Sequence, residues 1–285
     1  MKIELYKTPY LEFVINTNDF NFYINNKQMI EALKEILSGY DELLNLKSFL
    51  RKHKNSQISK DLFRLMELLN ARDPKWHPLC GSLYFTLTCM QDLKNSNLHA
   101  YKSFLRDIRK QSSSESWKGL QFEISTARTL SLKSLEFIKN ESPDFIVKQG
   151  NNEVSIECGS VRVNQDKGKS LEYKIESVIN KKNLKKYANA DTSLHIDITN
   201  IAHHDINNGR FTYFDSLCKK IKARKDVKFG AIILLITFSD NNGYGEGYKT
   251  LKTSNCSHNL DLFLDSYFPS GDFPLSNKHK VPKFI

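Results

Sequence analysis

Three absences narrow what this chain of 285 residues can be. It has no apolar run of about 18 residues, the least that carries a helix across a bilayer, so no membrane span is expected. It has no CxxC pair. Its cysteines, Cys80, Cys89, Cys158, Cys218 and Cys256, stand apart and are odd in number, which suits a reducing compartment better than a disulfide framework. The opening residues carry Lys2, Glu4 and Lys7 and lack the long apolar core of a secretory leader. Together these features predict a cytoplasmic protein. Internal repeats and long low-complexity tracts are missing as well. Two halves of a zinc site can be drawn, His77 with Cys80 and Cys256 with His258, but they lie far apart in sequence and chance spacing explains them.

What is present is an ordinary folded composition, 40% hydrophobic and 26% charged, with a surplus of cations: formal net charge +10 and pI near 9.2. Such a surplus favours polyanionic partners, because each phosphate met by Lys or Arg releases counterions. Charge alone does not identify chemistry.

Residues 1–115 are mainly helical in pattern. Apolar residues recur at helical spacing in 28–38, 41–52, 60–70 and 98–109, with Asp41 as an N-cap and the Asp73–Pro74 step ending the third helix. Residues 2–24 are more extended. The polar stretch Gln111–Ser116 reads as a linker or N-cap region. The pattern then changes over 116–240. A helix over 117–139 leads to a strand at 143–148, a turn at Gly150-Asn151-Asn152 and a second strand at 153–163, which together make a β-hairpin. A helix at 170–188, a strand at 193–199, a helix at 213–224 and an apolar strand at 229–238 follow. This order predicts an α/β fold with a mixed, largely buried sheet flanked by helices. Residues 241–285 read as an irregular C-terminal extension packed on that core, with glycine-rich turns, a short helix near 259–267 and a Lys/Pro tail.

Chemistry gathers at the hairpin. Asp144 follows Pro143 at the start of its first strand. In the second strand Val154, Ile156 and Cys158 point one way, which sends Ser155 and Glu157 the other. The turn sets the strands side by side, so Asp144 and Glu157 converge. Two carboxylates suit a hard dication such as Mg²⁺ or Mn²⁺, which takes oxygen ligands and keeps several waters. Taken singly, each reads as an ordinary surface acid, and only its company changes that. The flanking helices add to the case. Glu123 shares a face with Leu120, Ala127 and Leu130, and Lys182 continues the inner face of Leu171, Ile175, Val178 and Ile179. A charge on an apolar face needs a partner. Glu123 has Arg128 or Arg162 as alternatives to a site, and Lys182 has the alternative of snorkelling outward. Lys174, Lys181 and Lys185 fall more to the sides of the same helix.

Glu123, Pro143-Asp144 and Ile156-Glu157-Cys158, in this order and with a hairpin-sized gap, resemble the PD-(D/E)xK, or restriction-endonuclease-like, nuclease superfamily over roughly residues 117–239. The resemblance implies a restriction-endonuclease-like fold and a metal-dependent endonuclease that hydrolyses phosphodiester bonds of DNA or RNA. Glu123, Asp144, Glu157 and the carbonyl of Cys158 would be the metal-binding positions, with Mg²⁺ or Mn²⁺ as cofactor. Many double-strand cutters of that superfamily pair two such sites, which leaves room for a homodimer. One position departs from the pattern: where the ExK lysine belongs there is Gly159. Lys182 is the expected substitute, similar to the viral cap-snatching endonucleases that place their lysine on the following helix, with Lys174 and Lys181 in reserve. Gly159 equally supports an alternative, a nuclease-like fold without chemistry that serves as a nucleic-acid-binding or protein-interaction module.

Lys174, Lys181, Lys185 and Lys186, and further on Lys219, Lys220, Lys222, Arg224 and Lys225, are candidates for tracking a phosphate backbone; each cluster is equally a solvated helix face. His195 and Asp197 share a strand face and read as polar residues of a sheet, with cleft lining as the alternative. His203-His204-Asp205 is a loop cluster that could bind substrate. Gly243-Tyr244-Gly245-Glu246-Gly247 has the glycines of a phosphate loop without its lysine or strand–loop–helix setting, and reads as a turn or mobile loop.

Overall fold

A computed structural model of the chain describes residues 3–7, 12–16, 26–71, 73, 75–150, 152–162, 168–202, 214–240 and 243–269. It forms two compact units that divide between Arg128 and Thr129. No helix among the described residues is long and apolar enough to cross a membrane.

The first unit opens with two antiparallel strands, β1 (Ile3–Lys7) and β2 (Glu12–Asn16), paired from Ile3–Asn16 to Lys7–Glu12. Helices follow: α1 (Asn26–Leu44), α2 (Leu46–Lys52), α3 (Gln57–Asn70), α4 (Trp76–Ser96), α5 (Leu98–Lys110) and α6 (Ser114–Leu132), the last of which runs past the division. Their apolar stripes meet in a core that includes Ile36, Tyr40, Leu46, Ile58, Leu62, Leu87, Phe104 and Ile108. Two differences from the sequence expectation have simple causes. Asp41 lies inside α1 and is not itself an N-cap; its Oδ1 accepts from the Leu46 N–H, the first of α2, at 2.9 Å, while Asn45, at φ 54°, is the N-cap of α2. The helix α4 has no counterpart in the sequence pattern. Its buried residues, Trp76, Cys80, Leu83, Thr86, Leu87, Cys89, Met90 and Leu93, cover about half the circumference at about 100° per residue and leave no narrow stripe to detect. The serine stretch does cap a helix: Ser113 Oγ accepts from the Ser116 N–H at 3.2 Å at the start of α6.

The second unit is α/β. Strands β3 (Glu136–Lys139), β4 (Phe145–Gln149), β5 (Asn152–Ser160), β6 (Thr192–Asp197), β7 (Ala231–Asp240) and β8 (Gly243–Lys252) form one sheet in sequence order. The β5–β6 and β6–β7 pairings are parallel and the others antiparallel. The expected hairpin is β4–β5: Gln149 pairs with Asn152 and Gly150 takes φ 60°, a conformation glycine adopts freely. Between the strands lie α7 (Leu171–Asn183), α8 (Phe214–Ala223) and, after β8, α9 (His258–Tyr267).

Both outer strands correct the sequence reading. Residues 136–139 pair with β4 and do not extend α6. The glycine-rich stretch is no loop: Gly243 pairs with Asp240 and Gly247 with Ile236, so the expected irregular extension contributes a full strand. Glycine depresses strand propensity, and the neighbouring apolar strand β7 overrides it by offering a complete ladder.

One face of the sheet, with Leu194, Ile196, Ile232, Leu234 and Leu251, is covered by Leu171, Ile175 and Ile179 of α7 and by Phe214, Leu217 and Ile221 of α8. Each such buried aliphatic contributes about 1.5–3 kcal/mol of transfer free energy. On the other face, α9 and the residue after it bring Leu260, Phe263 and Phe268 into the core, with Thr250 Oγ1 donating to the Phe268 carbonyl at 2.8 Å. Ser170 caps α7 by accepting from Tyr173 N–H at 3.2 Å, and Ser257 caps α9 by accepting from Leu260 N–H at 3.1 Å.

Candidate active site

The antiparallel register sets Phe145 opposite Ile156. One step further along the same pairing, Asp144 stands opposite Glu157. Asp144 is held there by a hydrogen bond: its Oδ2 accepts from the backbone N–H of Cys158 at 2.7 Å. Glu157 sits on the α7 side of the sheet and is only 3% exposed. Its Oε1 accepts from the Lys182 ammonium and, at 2.7 Å, from the Tyr187 hydroxyl. Its Oε2 is buried with no partner among the described residues. Asp144, Glu157, Lys182 and Tyr187 thus form one cluster, built wholly within the second unit.

The cluster's electrostatics are mutually reinforcing. Burial works against the Lys182 ammonium, but the hydrogen bond and charge of Glu157, with Asp144 and Cys158 adding to them, hold its pKa above the ordinary lysine value. Burial also pushes the Tyr187 phenol up, and so do its hydrogen bond to Glu157 and the charges of Glu157 and Asp144; a hydrogen bond with Ser142 acts in the opposite direction. Both shifts act in the direction that keeps the lysine cationic and the phenol neutral. With Lys182 partly exposed and Glu157 buried, this is an ion pair at the floor of the cluster and no surface bridge.

Gly159 explains where the ammonium comes from. A Cβ on Gly159 would stand 2.9 Å from Val178 Cγ1, closer than a real Cβ tolerates. The Val178 methyl of α7 crowds the place where a side chain on residue 159 would begin. Lys182 is one turn beyond Val178 on the same helix, so the close approach of α7 that crowds position 159 also brings Lys182 to Glu157.

Tyr187 carries no signal in the sequence, where the helix is expected to run to residue 188. In such a helix Tyr187 would lie about 140° around from Lys182, on another face. In the structure α7 ends at Asn183 and two turns, Lys185 N–H to Lys182 carbonyl (3.0 Å) and Ala188 N–H to Lys185 carbonyl (3.1 Å), fold the chain back. The Tyr187 carbonyl is then anchored by Thr192 Oγ1 at 2.8 Å at the start of β6.

The remaining candidates are placed as follows. Glu123 lies half-buried on α6 within the first unit. Arg128 pairs with Asp92 at 2.5 Å, and Arg162 donates to Ser160 Oγ at 3.1 Å. Lys174 corrects the helical phasing: it is 7% exposed, and its ammonium donates to the Arg162 carbonyl at 3.1 Å. Lys181, Lys185 and Lys186 are exposed, as are Lys219, Lys222 and Lys225. Lys220 pairs with Glu172 at 2.6 Å, and Arg224 with Asp226 at 2.5 Å. Cys158 is buried, and none of the five cysteines forms a disulfide. His195 does not line the cleft. It is the register partner of Cys158, faces away from Glu157 and is fully buried, its ring 5.3 Å from that of Phe268. Asp197 Oδ1 accepts from the Thr199 N–H at 2.9 Å at the end of β6. His203, His204 and Asp205 lie outside the described residues.

Among the described residues no group of three or more His, Cys, Asp and Glu gathers to hold a metal ion. Mg²⁺ and Mn²⁺ ask for less, one or two carboxylates and a shell of water. The orphaned Oε2 of Glu157, opposite Asp144, fits that demand. Compared with known proteins, the chain matches no family model, no curated protein and no solved structure.

Proposed function

We propose that this protein is a metal-dependent nuclease of the restriction-endonuclease-like kind, acting on phosphodiester bonds of DNA or RNA in the cytoplasm. The observation that carries the reading is the cluster itself: two carboxylates from adjacent strands, one with a buried oxygen lacking a donor, and a lysine brought to the same point from the next helix. Oε2 of Glu157 and the carboxylate of Asp144 are the groups that would hold Mg²⁺ or Mn²⁺. Such an ion, when bound, supplies Lewis acidity to the phosphodiester and lowers the pKa of a bound water. The chain's own residues do the rest. Asp144 keeps its carboxylate aimed through the Cys158 N–H. Lys182, the cation nearest the acids, orients the attacking water and offsets charge developing on the phosphate. The exposed Lys181, Lys185 and Lys186, on the segment around Lys182 and Tyr187, meet the phosphates of the substrate strand.

The test is cleavage of a panel of DNA and RNA substrates in Mg²⁺, Mn²⁺ or EDTA. Asp144→Ala and Glu157→Gln are expected to remove EDTA-sensitive cleavage in a folded protein. Lys182→Ala is expected to lower kcat about a hundredfold or more, and Lys181→Ala to leave it nearly unchanged. Because Lys182→Ala strands a buried carboxylate, at about 3–5 kcal/mol, its activity is read well below its melting temperature. Full activity of Asp144→Ala would sink the mechanism.

A second reading has an observation of its own. In the structure Lys182 is engaged by Glu157, and a side chain at residue 159 would press on Val178, as in a nuclease-like fold that binds without cutting. Calorimetric titration with Mn²⁺ separates the two: binding that is lost in Asp144→Ala belongs to the enzyme, and no binding at all belongs to the module.

A further inference from the structure

We infer that Tyr187 is a positioning residue for this centre, and that it keeps Glu157 oriented when Lys182 turns from the carboxylate to the water. The inference rests on the nuclease reading above. Lys182 and Tyr187 donate to the same oxygen, Oε1, and neither reaches Oε2. Two donors on one oxygen fix the rotation of the carboxylate and leave a single oxygen available to a cation. If the ammonium alone held Oε1, Glu157 would lose its orientation whenever Lys182 served the water. A neutral hydroxyl does not compete with a dication for the carboxylate by charge, so it stays in place through that exchange.

The backbone supports this role. Tyr187 is held from behind by Thr192 Oγ1 on its carbonyl (2.8 Å), Thr192 is fully buried, and the tyrosine ring packs against the core cluster beneath α7. The hydroxyl is therefore carried by a rigid support. Glu157 in turn cannot retreat, since its strand is paired on both sides, to β4 and to β6.

Tyr187→Phe keeps the ring, its packing and the Thr192 anchor, and removes only the donor. Mn²⁺ affinity is measured by calorimetry, and kcat and KM on the substrate the wild type cuts; near-UV circular dichroism checks the fold. The expected result is a Kd for Mn²⁺ weaker by about tenfold, a comparable fall in kcat and an unchanged KM. A purely structural tyrosine would lower the melting temperature and move neither Kd nor kcat, and that outcome overturns the inference while leaving the nuclease intact. A wild type that neither binds Mn²⁺ nor cuts overturns both.

Discussion

His195 shows how a single side chain can be legible in its pattern and opaque in its role. Alternation along β6 gives it a definite face, but it does not say whether that face meets water or a helix. Phe268 and the α9 side of the core decide it: the imidazole is fully buried, and neither ring nitrogen has a partner among the described residues. Burial lowers its pKa from 6.5 to about 3. A depressed histidine is neutral in the folded state, whereas the unfolded chain takes up a proton below its own pKa. Stability is thus fully present above pH 6.5 and is lost as pH falls from there towards 3, at up to about 1.4 kcal/mol per pH unit. Denaturant unfolding of wild type and His195→Leu between pH 7 and 4 checks this. The stability difference should move in the variant's favour as pH falls, and parallel pH curves would refute the linkage.

At the scale of elements, the passage of α7 over β5 governs the site. Gly159 lets the helix approach, Val178 fills the space and Lys182 profits one turn later. Gly159→Ala is expected to destabilise the protein by about 1–3 kcal/mol through overpacking. In the Val178→Ala background the same change should cost much less, because the clashing methyl is gone. Urea titration of the four proteins in this cycle measures the coupling; additive effects would contradict the close approach. Gly159→Lys, which writes the usual motif back into the sequence, is expected to be disruptive for the same reason. The displaced lysine is accessible to sequence reasoning because helical phase is periodic and Lys182 continues an apolar stripe. Tyr187 is not, because its position depends on where α7 stops, and the residues that end it, Leu184 to Lys186, carry no glycine or proline as a signal. Lys174 misleads for a related reason: phase alone sets it to the side of the helix, and the Arg162 carbonyl draws it in.

Across the whole molecule the formal charge of +10 is a statement about association more than about fold. Some of the cations among the described residues are occupied locally, Lys220 by Glu172, Arg224 by Asp226 and Lys252 by Asp261 and Asp265. Lys181, Lys185 and Lys186 are exposed beside the site. Replacing these three by Ala is expected to weaken nucleic-acid binding on every sequence alike. The slope of log K against log salt should become shallower by about 0.7–0.9 for each phosphate that is no longer neutralised. Fluorescence anisotropy across a salt series measures it, and an unchanged slope would place the substrate elsewhere.

Sequence by itself determined the class of the second unit, the hairpin, the opposition of Asp144 and Glu157 and the inward phase of Lys182. Each of these follows from a local period, two for a strand and 3.6 for a helix, or from a turn that needs glycine. Only the tertiary structure decided the rest: the edge strands β3 and β8, the burial of His195, the crowding at Gly159 and the arrival of Tyr187 at Glu157. Those depend on which surfaces meet, and burial and ladder pairing between distant segments outweigh the modest local preferences that a sequence displays.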